Sequence, residues 1–369
     1  MRAIVIAIII LVLSGGMLRA QSFNPDFLKC AVYISFNPTP QTVRSGTGFF
    51  VWRALGTQKG QVFLLTNKHL LPQQGKQQSI KMRVTGSSKN VQEVDIPIIG
   101  SDGKYLPTVF GHTSQAVDVV AVNVTEQVIQ YDIPGKWLDF NLFVTKENLL
   151  KENISAGDDV FILGYPNRIY DPRTITPITR VGIIATVPSQ GFGFNDELKS
   201  LYGFPDELDG FLIDANVFPG SSGSLVILKQ QSSTINGSGE VEFNPAKRRP
   251  YLLGIVSSSL PINDTALGSR VRMGLGFAYS ATVVRQTIEQ SSKVGPTVQE
   301  RGIVGNISLS ENVPGEVSLQ EPTTGRWISW KVGKGLPTGT CISGSVYSRT
   351  DGGTGSTLYV CENSTWVAK

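Results

Sequence analysis

Between residues 28 and 275 the chain has no long stretch with a 3.6-residue hydrophobic period. Short runs rich in Val, Ile, Phe and Thr are broken instead by Gly, Pro and Asn. Ala31–Ser35, Gly48–Trp52, Val62–Thr66, Ile80–Val84 and Asp118–Val124 are the first five. Such runs suit pleated, half-buried backbone, and their interruptions suit turns. The pattern predicts an all-β sandwich or pair of barrels and argues against a doubly wound α/β fold. Further runs follow at Val160–Leu163, Arg180–Ala185, Phe211–Ile213, Ser224–Leu228, Tyr251–Ser257 and Gly274–Tyr279. Two helices are expected: a short one over Leu198–Leu208, and a closing one over residues 280–291. In the second, Ala281, Val284 and Ile288 share a face and Ser280 is the candidate N-cap.

The two ends have a different texture. Residues 1–20 read as a secretory signal peptide: Arg2, an apolar run from Ala3 to Leu13, a loosening Ser14-Gly15-Gly16, and Ala20 before the cut. The apolar run is too short to span a bilayer comfortably, so no integral membrane segment is expected after cleavage. The sequence carries a net charge of +4, and residues 1–20 hold Arg2, Arg19 and no acid, leaving +2. That balance, with no dense basic cluster, argues against a nucleic-acid partner. The expected layout is a main domain over 21–290, a polar linker over 291–312 and a small β module over 313–369. The break between the two halves of the main domain falls near Ile133-Pro134-Gly135. The chain has three cysteines. In an oxidising compartment an even pair closes, and Cys341 and Cys361 lie together in the small module, leaving Cys30 over and buried. So few residues seldom bury enough surface to fold unaided, and a bridge would supply the missing constraint. Asp351-Gly352-Gly353 reads as a hairpin turn within the module.

The chemistry centres on Phe218-Pro219-Gly220-Ser221-Ser222-Gly223-Ser224. A serine between glycines in a tight turn exposes its hydroxyl, and the surrounding amides can converge on one point. Those are a nucleophile and the donors for an oxyanion. Upstream, His69 follows the apolar run Phe63-Leu64-Leu65-Thr66 and sits at a strand end, where it can face a cleft. Asp118 lies in Ala116-Val117-Asp118-Val119-Val120, and a carboxylate in an apolar strand needs a donor such as an imidazole N–H. His112, the other histidine, lies in the turn-like Phe110-Gly111-His112-Thr113 and is read as a surface residue. No Cys/His cluster has metal-ligand spacing, and no cofactor is expected.

His, Asp and Ser in this order and framing resemble the chymotrypsin-like (trypsin-fold) serine peptidases. The nearer likeness is to the bacterial HtrA/Deg-like secreted peptidases. It rests on Thr66-Asn67-Lys68-His69 and Pro219–Ser224, supported by Gly46–Phe49, Asp118–Val122, Gly164–Pro166, Gly254–Ser257 and Gly276–Ala278. The resemblance implies two six-stranded-type antiparallel β-barrels, about 28–140 and 155–280, with a C-terminal helix. It implies Ser222 as nucleophile, His69 as general base, Asp118 as the group orienting it, and the Gly220 and Ser222 amides as the oxyanion hole. A protonated His69 cannot accept the serine proton, so activity should fall toward acid pH.

Ser221 stands where digestive members have the Asp that pairs with a freed N-terminus, so that activation switch is not expected. Arg301-Gly302-Ile303-Val304-Gly305 looks like an activation site but follows the serine, and is read as coincidence. The implied specificity pocket has Asn216 at its base, with walls from Phe218, Ile255, Val256, Ser257, Gly276, Phe277 and Ala278. A base without a carboxylate suggests a modest apolar residue before the cut. No PDZ-length region follows residue 290, so PDZ-based peptide capture is not carried over. The expected partners are protein or peptide substrates outside the cytoplasm. The tail loosely resembles small C-terminal modules of bacterial surface and pilus proteins; its aromatics suit surface or glycan contact, or its own core. A catalytically silent trypsin-fold binder, or an adhesin-like protein using that tail, are the alternatives.

Overall fold

The structure is a computed structural model. It describes residues 23–56, 59–85, 90–133, 136–231, 233–235, 241–243, 249–264, 269–291, 296–299, 303–304, 316–320, 327–333, 336–338, 341, 343, 345–349 and 358–368. The stretch expected to be a signal peptide, residues 1–20, Pro134-Gly135 of the expected break between halves, and the turn expected at Asp351-Gly352-Gly353 lie outside these residues.

The chain forms two units, residues 1–305 and 306–369. The first is two antiparallel β systems in sequence. Strands β1 (Ala31–Thr39), β2 (Thr42–Gly56), β3 (Lys59–Thr66), β4 (Gln78–Thr85), β5 (Val91–Ile99), β6 (Val109–Gly111) and β7 (Val120–Asn123) run in the order β5-β4-β1-β2-β3-β7-β6. A short β8 (Trp137–Asp139) joins β2 in parallel. The second system is a closed barrel of six strands. These are β9 (Asp159–Gly164), β10 (Ile178–Ile184), β11 (Gly210–Asp214), β12 (Leu225–Leu228), β13 (Leu252–Asp264) and β14 (Ser269–Ser280), closing as β9-β10-β11-β14-β13-β12. This is the all-β, trypsin-like double-barrel architecture expected from the alternation of short apolar runs and turns.

The runs are dense because several strands are covered on both faces. In β2, Phe49 and Val51 enter one core while Phe50 and Trp52 enter another. The first core continues into the closed barrel through Val160, Ile162, Phe211, Ile213, Leu225, Ile255 and Phe277. The second fills the half-barrel formed by the first sheet, with Val32, Ile34, Val62, Leu64, Ile80, Met82 and Ile96. A strand buried on both sides reads as a continuous apolar run rather than an alternating one.

Several expectations are corrected by packing. The strand containing Asp118 begins only at Val120, so Asp118 precedes it. The helix expected over Leu198–Leu208 is α3 in chain order, Asp196–Tyr202. It follows α1 (Thr125–Gln130) and α2 (Lys146–Lys151). Asn195 caps it, and Gly203, in the left-handed conformation at φ 68, ends it before Pro205. Next to the expected break between the halves, the chain adds a buried strand residue to the core of the first sheet. Trp137 on β8 is buried and stacks on Trp52 with ring centroids 5.4 Å apart. Helix α4 (Ala281–Glu289) closes the unit, with the Ser280 hydroxyl accepting from Val283 N and Ala281, Val284 and Ile288 buried. Within the stretch read as linker, Val298–Gln299 pairs with Lys59–Gly60 on β3, and Ile303–Val304 pairs in parallel with Trp137–Leu138. Cys30 is buried without a disulfide, and burial pushes its thiol pKa up.

The second unit is one five-stranded sheet: Glu316–Gln320, Trp327–Gly333, Val346–Arg349, Leu358–Glu362 and Thr365–Ala368. Its last hairpin turns at Asn363 and Ser364, both at positive φ, and Cys361 is bridged to Cys341. The Trp366 ring packs edge-on against Tyr347 at 6.0 Å, so it contributes to the module's own packing.

Candidate active site

Antiparallel pairing builds the first half of the site. Thr66, the last residue of β3, pairs with Val120, the first of β7. The chain leaving β3 and the chain entering β7 therefore meet at one end of the sheet. His69 lies three residues beyond the first and Asp118 two before the second, although 49 positions separate them. Asp118 holds the histidine at two points. Its Oδ2 lies 2.6 Å from His69 Nδ1, and its Oδ1 accepts the His69 backbone N–H at 3.0 Å. Its own carbonyl is held by Asn67 Nδ2 at 2.8 Å, and the Ser257 hydroxyl donates to Oδ2 at 3.1 Å. The imidazole is thus oriented by a carboxylate on its Nδ1 side while 46% of the side chain stays exposed. Its other nitrogen is left for the cleft.

The second half is the turn before β12. Leu225 pairs with Leu163 on one side and Ile255 on the other, which fixes where the turn ends. Thr47 on β2 then ties the turn to the first barrel. Its N–H donates to Ser222 O at 2.9 Å, and its hydroxyl donates to Gly220 O at 3.1 Å and accepts from Tyr165 N at 3.0 Å. Asn167 N donates to Pro219 O at 2.7 Å. Within the turn, Ser221 N, Gly223 N and Ser224 N all have backbone acceptors. Among the described residues, neither Gly220 N nor Ser222 N meets one. Two free amides two positions apart, one of them on Ser222 itself, suit the binding of an oxyanion.

His69, Gly220 and Ser222 line one open cleft of about 500 Å³, together with Val43–Ser45, Leu70, Asn167 and Arg168. The Ser222 hydroxyl donates to Ser257 O at 2.9 Å; among the described residues no hydrogen bond joins it to the His69 ring. Of the other expected wall residues, Phe218 is exposed, while Ile255, Val256, Phe277 and Ala278 are fully enclosed. Phe277 packs edge-on against Phe194 and Tyr279 and at a tilt to Phe204. What these four can offer a substrate is backbone. Gly276 approaches Val217 so closely that a Cβ there would lie 2.3 Å from its Cγ2. Asn216 is in the left-handed region at φ 49. Ser257, read from the sequence as a pocket wall, bonds to both Asp118 and Ser222. His112 is half-buried and meets Gln286 and Ser114 rather than Asp118. Among the described residues no group of three or more His, Cys, Asp and Glu side chains is placed to hold a metal.

One residue escaped the sequence reading. Arg180, on β10, reaches beneath the turn. Its Nη1 donates to Asn216 O at 2.8 Å and its Nη2 to the Ser221 hydroxyl at 2.9 Å. Burial lowers its pKa, and its Nε is enclosed without a partner. The guanidinium thereby ties Ser221, the residue before Ser222, to the backbone at position 216. The signal was an arginine on the same strand face as Ile178 and Ile184. Replacing it with Met keeps volume but frees Asn216 O and Ser221 Oγ. A displacement near 1 Å at a reacting group can cost on the order of 10²-fold. Arg180→Met is therefore expected to lower kcat/KM toward a peptide by about that factor, with the circular-dichroism melting curve still cooperative. Unchanged kinetics would show that the turn holds its shape without it.

The model of the trypsin-like peptidase domain family matches residues 46–234, just over half of the chain, and the chain belongs to that family. No curated protein matches the sequence. Solved structures similar to it include the Rv3671c protease of M. tuberculosis. An inactive form is 18% identical with a TM-score of 0.40, covering 74% of this chain and 95% of that one. An active form is 19% identical, also with a TM-score of 0.40, covering 75% and 87%.

Proposed function

We propose that the protein is an exported serine endopeptidase of the HtrA/Deg-like branch. The observation that carries the reading is the two-point grip of Asp118 on His69 beside a serine on the same cleft. The Ser222 hydroxyl leaves Ser257 O by rotation about its Cα–Cβ bond and attacks the substrate carbonyl. Its proton passes to His69 Nε2. The carbonyl oxygen, now anionic, takes hydrogen bonds from Gly220 N and Ser222 N. Breaking the C–N bond returns the proton from His69 to the departing amine and leaves an acyl-enzyme. A water activated by the same histidine then hydrolyses it. Asp118 keeps the ring in the tautomer with Nδ1–H and stabilises the imidazolium. With Asn216 rather than a carboxylate at the pocket base, a small or medium apolar residue before the cut suits the site.

A fluorophosphonate probe tests this, because it forms a bond only with a serine oxygen activated by its neighbours. Wild-type protein should be labelled, and Ser222→Ala should not. Folded wild type that takes no label would make the chain a non-catalytic trypsin-fold binder.

A further inference from the structure

The cleft beside Ser222 is positively charged on one flank. Asn216, the expected base of the pocket for the residue before the cut, and Val256 and Gly276, two of its expected walls, do not line it. It therefore lies on the other side of the serine, where the departing part of a peptide would rest. Two arginines line that flank, Arg44 and Arg168, and no Asp or Glu does. Elsewhere Arg83, Arg173 and Arg285 each have a carboxylate partner. Among the described residues, Arg44 and Arg168 have none. Arg168 is also held in place. It and Asn167 are consecutive non-glycine residues in the left-handed region, at φ 62 and 51. Such conformations cost on the order of 1–3 kcal/mol each and persist where the surroundings enforce them, often at ligand clamps. Here Asn167 N is tied to Pro219 O, and Arg168 Nη2 donates to Val43 O at 2.7 Å. That single bond leaves most of the guanidinium's donors available to a ligand.

We propose that this flank receives an acidic side chain, so that the preferred substrates carry Asp or Glu within the first two residues after the scissile bond. The word substrate rests on the peptidase reading; the acidic preference rests on two guanidinium groups that have no carboxylate partner among the described residues. A carboxylate between two cations in a partly enclosed cleft gains more than an exposed pair does, and the gain shrinks as salt screens it.

The test uses quenched-fluorescence peptides identical before the cut, with Glu or Gln at the first and second positions after it. Their binding to Ser222→Ala protein is measured in parallel. Wild type should favour the Glu peptides by on the order of 10-fold in kcat/KM, falling toward unity at 0.5 M salt. Affinity for Ser222→Ala should show the same order. The Glu/Gln ratio should collapse in Arg44→Gln and Arg168→Gln, and invert toward Lys peptides in Arg44→Glu. If Arg168→Gln fails to fold, the Arg44 variants carry the same decision. Equal treatment of Glu and Gln by wild type, or a preference that survives both Gln variants, overturns the proposal. If no peptide is cleaved, the peptidase reading fails, and the binding ratio on Ser222→Ala still decides this one.

Discussion

Ser222→Ala should lower kcat for peptide hydrolysis by about 10⁶-fold while KM changes little, leaving a residue of catalysis from the backbone donors alone. The size follows from what the substitution removes. On the proposed mechanism the oxygen that would form the acyl bond is lost, and His69 would have no proton to accept. The donors at positions 220 and 222 are main-chain amides and remain. The fold should scarcely notice. The side chain makes one hydrogen bond, to Ser257 O, worth about 1 kcal/mol net. The turn is held instead by Thr47 N on Ser222 O and Thr47 Oγ1 on Gly220 O, and neither uses the Ser222 side chain. Circular dichroism should therefore give nearly the wild-type melting curve beside an inactive enzyme. A variant keeping more than about one part in a hundred of wild-type kcat would show that hydrolysis does not pass through this oxygen.

Gly223→Ala should have the largest effect on stability. Gly223 sits at φ 83, and a Cβ there would stand 1.8 Å from Thr47 O and 2.9 Å from Thr66 Oγ1. Thr47 cannot move aside. Its carbonyl accepts from Thr66 Oγ1 at 2.8 Å, its N–H holds Ser222, and its hydroxyl bridges Gly220 and Tyr165. The left-handed backbone alone costs about 1–2 kcal/mol for a residue with a Cβ, and overpacking adds about 1–3 kcal/mol or more. A loss of about 3–5 kcal/mol is expected in urea titration, near the upper end for single substitutions. Gly157→Ala separates the two terms. Gly157 is also left-handed, at φ 94, but a Cβ there meets nothing within 4 Å. It should lose only the backbone contribution. Equal losses at the two positions would mean that the turn has room to relax away from Thr47.

The all-β class was legible because the cue is local. Apolar runs of three to seven residues, cut by Gly, Pro and Asn, leave room only for short helices before the one at Ala281–Glu289. Boundaries were less so. Asp118 reads as a strand residue because Val117, Val119 and Val120 surround it, yet pairing starts at Val120. The helix over 196–202 stops early because Gly203, a glycine inside the expected range, takes the left-handed cap. Val298–Gln299 carries no strand signature of its own and pairs because β3 presents an edge at Lys59–Gly60. Arg180 looked like one more residue of a strand. Its importance comes from Ser221, 41 positions later, standing opposite its guanidinium.

The sequence by itself determined the class of fold, the glycine-bracketed turn at 220–223 and which side chains have the chemistry to act. Those are properties of neighbouring residues, and backbone sterics and hydrophobic period express them without reference to the rest of the molecule. Only the tertiary structure decided that Asp118 grips His69 at two atoms, that Ser222 donates to Ser257 O, that Arg180 props the turn and that Arg44 and Arg168 line one flank of the cleft. Each of those depends on strand register and on the closing of long loops. No local pattern encodes them, because the contacts that fix register come from chain segments tens of residues away.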